Sequence, residues 1–476
     1  MKLFFQILIV SLLSQTETFG QCFPSYNKIV VVIGENTEAN LVIGSPNAPY
    51  MNSLASQGAL FTNSHGIGHP SQPNYLYLFS GANQGVTNNN VPPAHFTTPN
   101  LARNLINVGK TFISYSEELP SIGSDVASSG GYQRKHNPIA NWMGTGANQV
   151  SPTLNQRLID FPSNFNNLPD VSFVIPNQCH AGHDVCPPLN NVVKQYDEFV
   201  ASLGAYKQWC ISNNSLLIVT YDEGNTSLSS NLIYTAFYGA HVKTGIYNQD
   251  INHFNILRTV EDLHGTAYAG ASATAATIDY VWERDLSLNL KFFIHGLFLS
   301  GATSQNSPLY NSGLSASASD IDTVRIDLMY PNAPYTMAAS YKGILQSNGT
   351  IACLFTNISC GNYYIRVKHK NSLETWSANP VNISNAASYD FTNAASKAFG
   401  ANQNNVASGV YAFHSGDINQ DASINSTDLS SLELSLQNHP TGYAIWDLNG
   451  DGMTETADYS LLENAVILNL VISRPQ

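Results

Sequence analysis

Charge is scarce in this chain. Of its 476 residues only 11% are Asp, Glu, Lys or Arg, and 20 Lys+Arg face 33 Asp+Glu, a net charge of −13. So small a cationic supply excludes nucleic acid and anionic membrane as general partners, because both are held through many basic contacts. Long apolar runs are lacking too. Beyond the first twenty residues no segment offers about twenty uninterrupted apolar positions, so the chain is not expected to be an integral membrane protein. Cysteine is limited to six residues, Cys22, Cys179, Cys186, Cys210, Cys353 and Cys360. In an exported chain an even set favours disulfides over metal or redox duty. Cys179/Cys186 and Cys353/Cys360 are expected to close local loops, which leaves Cys22 with Cys210, one of roughly fifteen possible pairings.

What is present begins with an export signal. Lys2, an apolar core from Leu3 to Leu13 and a polar end at Thr18-Phe19-Gly20 have the form of a secretory signal peptide over residues 1–20. The mature protein is therefore expected outside the cytoplasm, secreted or periplasmic, with Gln21 first.

The length implies more than one domain. From about Tyr26 to Asp285, apolar strands such as KIVVVI, TFISYS, VSFVIP and LLIVT alternate with helix-like stretches such as VVKQYDEFVASLGAYKQWC and HFNILRTVEDLHG. That alternation predicts an α/β domain over 21–287, its mixed or mostly parallel sheet sandwiched by helices. From 288 to 414 the pattern turns to period two: Val324, Ile326 and Leu328 share one face, as do Ile365 and Val367. A small β-sandwich is expected there, with Trp376 in its core.

Residues 415–470 carry a third pattern. Asp417, Asn419, Asp421, Ser423, Asn425 and Asp428 fall at positions 1, 3, 5, 7, 9 and 12 of a calcium loop. The spacing recurs at Asp447, Asn449, Asp451, Met453, Glu455 and Asp458, and a helix-like segment follows each copy. Position 6, which favours glycine, holds Gly452 in the second loop but Ala422 in the first. A single loop of this kind arises by chance in Asp/Asn-rich turns, whereas a duplicated one does not. Calcium is the cofactor this region implies.

In the first domain, two apolar strands end in polar pairs. KIVVVIG runs into Glu35-Asn36, and LLIVTY runs into Asp222-Glu223-Gly224. Ligands collect beyond the carboxyl ends of such strands, and three carboxylates with an amide oxygen suit a divalent metal whose identity the residues leave open. Gly34 would let the chain turn. Ser71, between Pro70 and an apolar helix-like run, places a hydroxyl near a helix N-terminus, where phosphate oxygens are well received.

Together these segments resemble a family. VIGEN, HPSQPNYLYLFSG, KHNP (Lys135 to Pro138), HAGHD (His180 to Asp184), YDEG and NHFNILRTVED are similar, in that order, to the phosphoesterase family of acid phosphatases and phospholipases C, within the alkaline phosphatase superfamily. The resemblance implies that Glu35, Asn36, Asp222 and Glu223 hold the metal, that Ser71 is the nucleophile, and that Asn74 and His136 donate to phosphate oxygens. His183 would be a metal-side or leaving-group histidine, with Asp184 in place to orient it. His253 has a weaker claim, and His65, His69 and His180 are expected to be structural. Tyr75 follows Asn74 where the phospholipases often have Arg, and no long lipid-binding insertion separates the motifs. The expected activity is therefore phosphate-monoester hydrolysis, with phospholipase C or another diesterase as the alternative and a phosphorylated small molecule or phospholipid as substrate. The duplicated loops resemble dockerin domains, which implies calcium-dependent folding and a cohesin partner. A silent phosphoesterase fold acting only as a binding protein is the alternative from another class.

Overall fold

Strand β1 (Lys28–Gly34) sits at the centre of the first domain because all its apolar residues are buried on both faces. In this computed structural model, which describes residues 23–225, 230–299, 301, 303–384, 386–438 and 440–476, its neighbours are β2 (Ala59–His65), β3 (Phe112–Ser116), β4 (Asn155–Arg157), β5 (Val171–Ile175), β6 (Ser215–Tyr221), β7 (Leu232–Gly239) and β8 (Gly245–Tyr247). The order across the sheet is β8-β2-β7-β6-β1-β5-β3-β4, with Ile251–Asn252 paired to β2 as a ninth strand. Pairing is parallel through β6-β1-β5-β3-β4, whereas β7 runs antiparallel to both β6 and β2. The sheet is thus mixed, and β7, rich in aromatics (LIYTAFYG), had no counterpart among the expected strands.

Helices cover both faces. On one side Ile29, Val31 and Ile33 pack with Phe61, Phe79, Phe112 and Phe173 beneath α2 (Ser71–Ser80), α3 (Leu101–Asn107) and α6 (His253–His264). On the other, Val30 and Val32 pack with Met51, Leu54, Tyr196 and Tyr206 from α1 (Pro49–Gln57), α4 (Val192–Ser202) and α5 (Gly204–Ser212). Each side chain so buried contributes about 1.5–3 kcal/mol, which makes β1 the firmest platform in the domain. The stretch expected as one helix from Val192 is broken at Leu203, whose backbone leaves the helical region.

Two further expectations are corrected. Gly34 is still strand, and its missing Cβ makes room for the Tyr196 ring, which would lie 2.6 Å from an added carbon. Asn36, in the left-handed region at φ 49°, is the residue that turns the chain. Of the disulfides, Cys179–Cys186 forms, but Cys210 and Cys353 are free and buried, and Cys360 is disulfide-bonded elsewhere. Cys210 lies on the buried face of α5, and Cys353 faces the sandwich core.

The signal-peptide expectation falls outside the described residues, and among the described ones no helix is long and apolar enough to cross a membrane.

After the first domain, two sheets face each other. Arg284–Lys291 lies between Thr350–Ile358 and Ala386–Asp390, and Asp320–Met329 lies between Met337–Gln346 and Gly361–His369. Alternate residues fill the space between them, with Val324, Ile326, Leu328, Ile365 and Val367 inside. Trp376 is buried, its indole N–H donating to Glu374. The tail forms two loop-helix units ending in α7 (Ser426–Leu436) and α8 (Thr456–Ile467). Their shared core takes in Leu373 from the sandwich, and Tyr443 donates to the buried Asp322 there.

Candidate active site

Glu35 and Asp222 each stand one residue beyond a central parallel strand, β1 and β6. The backbone sews these strand ends together: Asp222 N donates to Gly34 O, and Thr37 N donates to Glu223 O. Ser71 is the first residue of α2, buried, with its Oγ 3.1 Å from both Glu35 Oε2 and Glu223 Oε1. A hydroxyl has one proton, so it serves one carboxylate at a time and leaves a lone pair free. One turn further along α2, Tyr75 presents its OH to Glu35 Oε1. His136 is buried, stacks on the Tyr75 ring, and holds Nε2 3.2 Å from Glu35 Oε1 without hydrogen-bond alignment.

Glu223 is held from the other side. His69 Nδ1 lies 2.7 Å from Glu223 Oε2, and Asn74 Nδ2 donates to the same oxygen at 3.2 Å. Asn74 also donates to Gly68 O, while its Oδ1 accepts from the backbone of Ile67 and Gly68. As placed, Asn74 secures the loop before Ser71 rather than offering an open donor. Asp222 Oδ1 accepts from the backbone of Asn36 and Glu223, whereas its Oδ2 is buried without a partner.

Electrostatically the cluster is unbalanced. Burial, then the repulsion of Asp222, pushes Glu35 well above the usual carboxylate range. Burial and Glu223 raise Asp222, and burial and Glu35 raise Glu223. His136 is driven down by burial, Lys135 and His183, so it is neutral. Three carboxylates that cannot all ionise beside one another, with one oxygen left over, are what a cation would relieve. Among the described residues no three His, Cys, Asp or Glu side chains form a ready coordination shell. The donor chemistry of Glu35, Asn36, Asp222 and Glu223 nevertheless fits a divalent ion.

The loop after β5 brings His183 near His136. His183 Nδ1 lies 2.7 Å from Asp184 Oδ1, and its ring centroid is 6.0 Å from that of His136. Other histidines stand apart from Ser71. His180 pairs with Glu117, and His65 bonds to Ser230 O and Asn63. His253 opens α6 and touches the backbone carbonyl of Asp222, a buried packing contact that supports the strand end. Two residues in direct contact with the carboxylates were not expected. Tyr75 could have been found from its place four residues after Ser71, on the same helix face; His69, a lesser candidate expected to be structural, meets a partner 154 residues away.

In the tail, each last loop aspartate gathers its own loop. Asp428 accepts from the backbone of Ile418, Asn419 and Asn425, and Asp458 accepts from Leu448, Asn449 and Glu455. Burial and neighbouring acids raise Asp417 and Asp447 to about 6. This repulsion too is suited to relief by a cation.

Comparison with known proteins is consistent with these two parts. The phosphoesterase family model matches residues 42–267, and the dockerin type I domain model matches residues 415–467. The Phosphatidylinositol-3-phosphatase of Mycobacterium tuberculosis is 40% identical over 276 residues, 57% of this chain and 88% of that protein. The Phosphate-repressible acid phosphatase of Penicillium chrysogenum is 24% identical over 283 residues, 55% of this chain and 67% of that one. The Acid phosphatase of Aspergillus fumigatus is 26% identical over 267 residues, and the matched part is 58% of its length. Among solved structures, a protein in the alkaline phosphatase superfamily from Vibrio parahaemolyticus aligns with a TM-score of 0.40 at 13% identity, over 55% of this chain and 74% of that one.

Proposed function

The chain belongs to the phosphoesterase family, and from that premise we propose that it is a metal-dependent phosphatase that hydrolyses phosphate monoesters through Ser71. The observation that carries this reading is the Ser71 hydroxyl at the start of α2, 3.1 Å from each of two carboxylates on strand ends. A divalent cation held by Glu35, Asn36, Asp222 and Glu223 would supply Lewis-acid stabilisation of developing negative charge. The other work falls to the chain. Ser71 Oγ attacks phosphorus as its proton passes to the adjacent carboxylate, and the ester P–O bond breaks in line, the leaving oxygen departing with a proton drawn from solvent. The positive end of α2 favours the incoming anion. His136, neutral and locked against Tyr75, presents a ring nitrogen to the reacting centre. Asn74 and His69 keep Glu223 in place, so the proton acceptor does not drift. Water then cleaves the phosphoseryl bond, and Oγ regains its proton.

Monoesters are favoured over diesters because Tyr75 follows Asn74 where the phospholipases often have Arg, and no long lipid-binding insertion separates the motifs. The tail, loaded with calcium, would dock a cohesin-like partner, and residues 1–20 would direct export. The test is turnover of p-nitrophenyl phosphate and of bis(p-nitrophenyl) phosphate by the full chain, metal-stripped and then supplied with single cations, with Ser71→Ala alongside. The expected result is monoester turnover that requires a cation and falls roughly 10⁴-fold or more in the variant. Unchanged turnover by Ser71→Ala would sink the mechanism, and a preference for the diester would overturn the substrate class.

A further inference from the structure

An acidic chain that acts on an anionic ester faces a difficulty that the carboxylates at its centre make worse. Beside a bound divalent ion and the positive end of α2, a cation of the chain's own would add to the hold on the phosphate, and Tyr75 stands where the phospholipases often have arginine. Lys135 is the residue in position. It is the middle residue of the short helical turn Arg134–His136, is half-buried, and makes no ion pair among the described residues. Its Nζ lies 3.5 Å from His183 Nε2. Its positive charge works on Glu35, Glu223 and His136, lowering the affinity of each for a proton. Neighbouring Arg134, by contrast, is spent on structure, bonding to Asn141, Asp125 O and Ala140 O.

The histidine beside it explains how a flexible ammonium is kept in place. Asp184 can only accept, so His183 donates from Nδ1 to it and turns the lone pair of Nε2 outward. That lone pair accepts from Lys135 Nζ, and a lysine stem with several rotatable bonds is held in one direction. The remaining ammonium hydrogens are left for a ligand.

We propose that Lys135 is the cation that receives the substrate phosphate, and that His183, fixed by Asp184, is a positioning residue that aims it. This rests on the reading of Ser71 as nucleophile, and it names what selects the substrate: a monoester dianion gains more from a fixed ammonium than a diester monoanion does. His183 is then not the acid for the leaving group, because its Nδ1 proton is committed to Asp184 and its Nε2 is an acceptor.

Inorganic phosphate is the probe that separates this from the reading beneath it. Its inhibition constant, and its binding to Ser71→Ala by calorimetry, should weaken roughly 10- to 100-fold in Lys135→Met and Lys135→Gln, the worth of one charge-assisted contact. Lys135→Arg should recover part of that loss, and KM for p-nitrophenyl phosphate should rise more than KM for the diester. His183→Ala should shift phosphate binding in the same direction by a smaller factor. Phosphate binding unchanged in either neutral variant, with the native thermal midpoint retained, overturns the assignment, as does an arginine variant no better than methionine. Turnover by Ser71→Ala itself would instead overturn the underlying mechanism, whatever Lys135 does.

Discussion

The active-site cluster and the calcium loops both crowd carboxylates together, but they satisfy them differently. In the loops, Asp428 and Asp458 are each surrounded by three backbone amides from the same dozen residues. Around Ser71 the carboxylates are held mainly by side chains, from Tyr75, His69, Asn74 and Ser71, brought together across up to 154 residues. Backbone amides belong to the local fold and cannot be mutated away, whereas each side chain can be lost singly. The lesson is that a local site tolerates change at its surroundings and a long-range site does not.

That contrast can be broken most directly at Glu35. Glu35→Gln keeps the shape but removes a charge that Tyr75 and Ser71 both address, so turnover should fall by roughly 10²-fold or more while the thermal midpoint stays near native. A variant within twofold of the parent would show that the cluster does not act as a unit. Calcium removal is expected to have the largest effect at the other end of the chain. Chelation should abolish protection of the amides of α7 and α8 in hydrogen exchange and leave β1 and β6 protected, since metal binding there is folding energy. Simultaneous loss in both regions would contradict the separation. Tyr75→Phe, which removes one hydrogen bond to Glu35, should cost roughly 10-fold in kcat/KM.

The pH response has a defined sign. Asp417 and Asp447 sit at about 6 in the folded, calcium-free tail, above the ordinary unfolded value near 4. A raised acid binds protons more tightly when folded, so the calcium-free tail should lose stability as pH rises from about 4 to 6. Calcium reverses this by replacing the protons, so its affinity should strengthen over the same window. Thermal melts at pH 4.5 and 7 with and without calcium would check both signs. The smallest effect is at Ala422, which adopts φ 74° where the second loop has Gly452 at 91°. Ala422→Gly should stabilise the first loop by about 1 kcal/mol, by removing left-handed strain.

The same contrast explains what the residues could announce in advance. The loop spacing encodes the tail within a dozen positions, and the apolar runs with their polar ends mark β1 and β6 because burial on both faces needs unbroken apolar stretches. Strand β7 escaped notice because aromatic and small residues alternate there without the aliphatic signature of its neighbours. His69, a lesser candidate expected to be structural, is different: its partner Glu223 comes from the end of β6, and only the folded sheet brings the two within reach. Asn74 shows the converse, for a residue named for the phosphate is occupied in holding Glu223 and the loop before Ser71.

Ser71 forming a bond to phosphorus is the central step. The most direct measurement is acid-quenched mass spectrometry of the metal-loaded chain during turnover of p-nitrophenyl phosphate. The peptide containing Ser71 should carry a phosphoryl group on that serine, absent when substrate is omitted and absent in Ser71→Ala. A single-turnover burst with no phosphorylated serine at 71, or phosphate found on another residue, would contradict it.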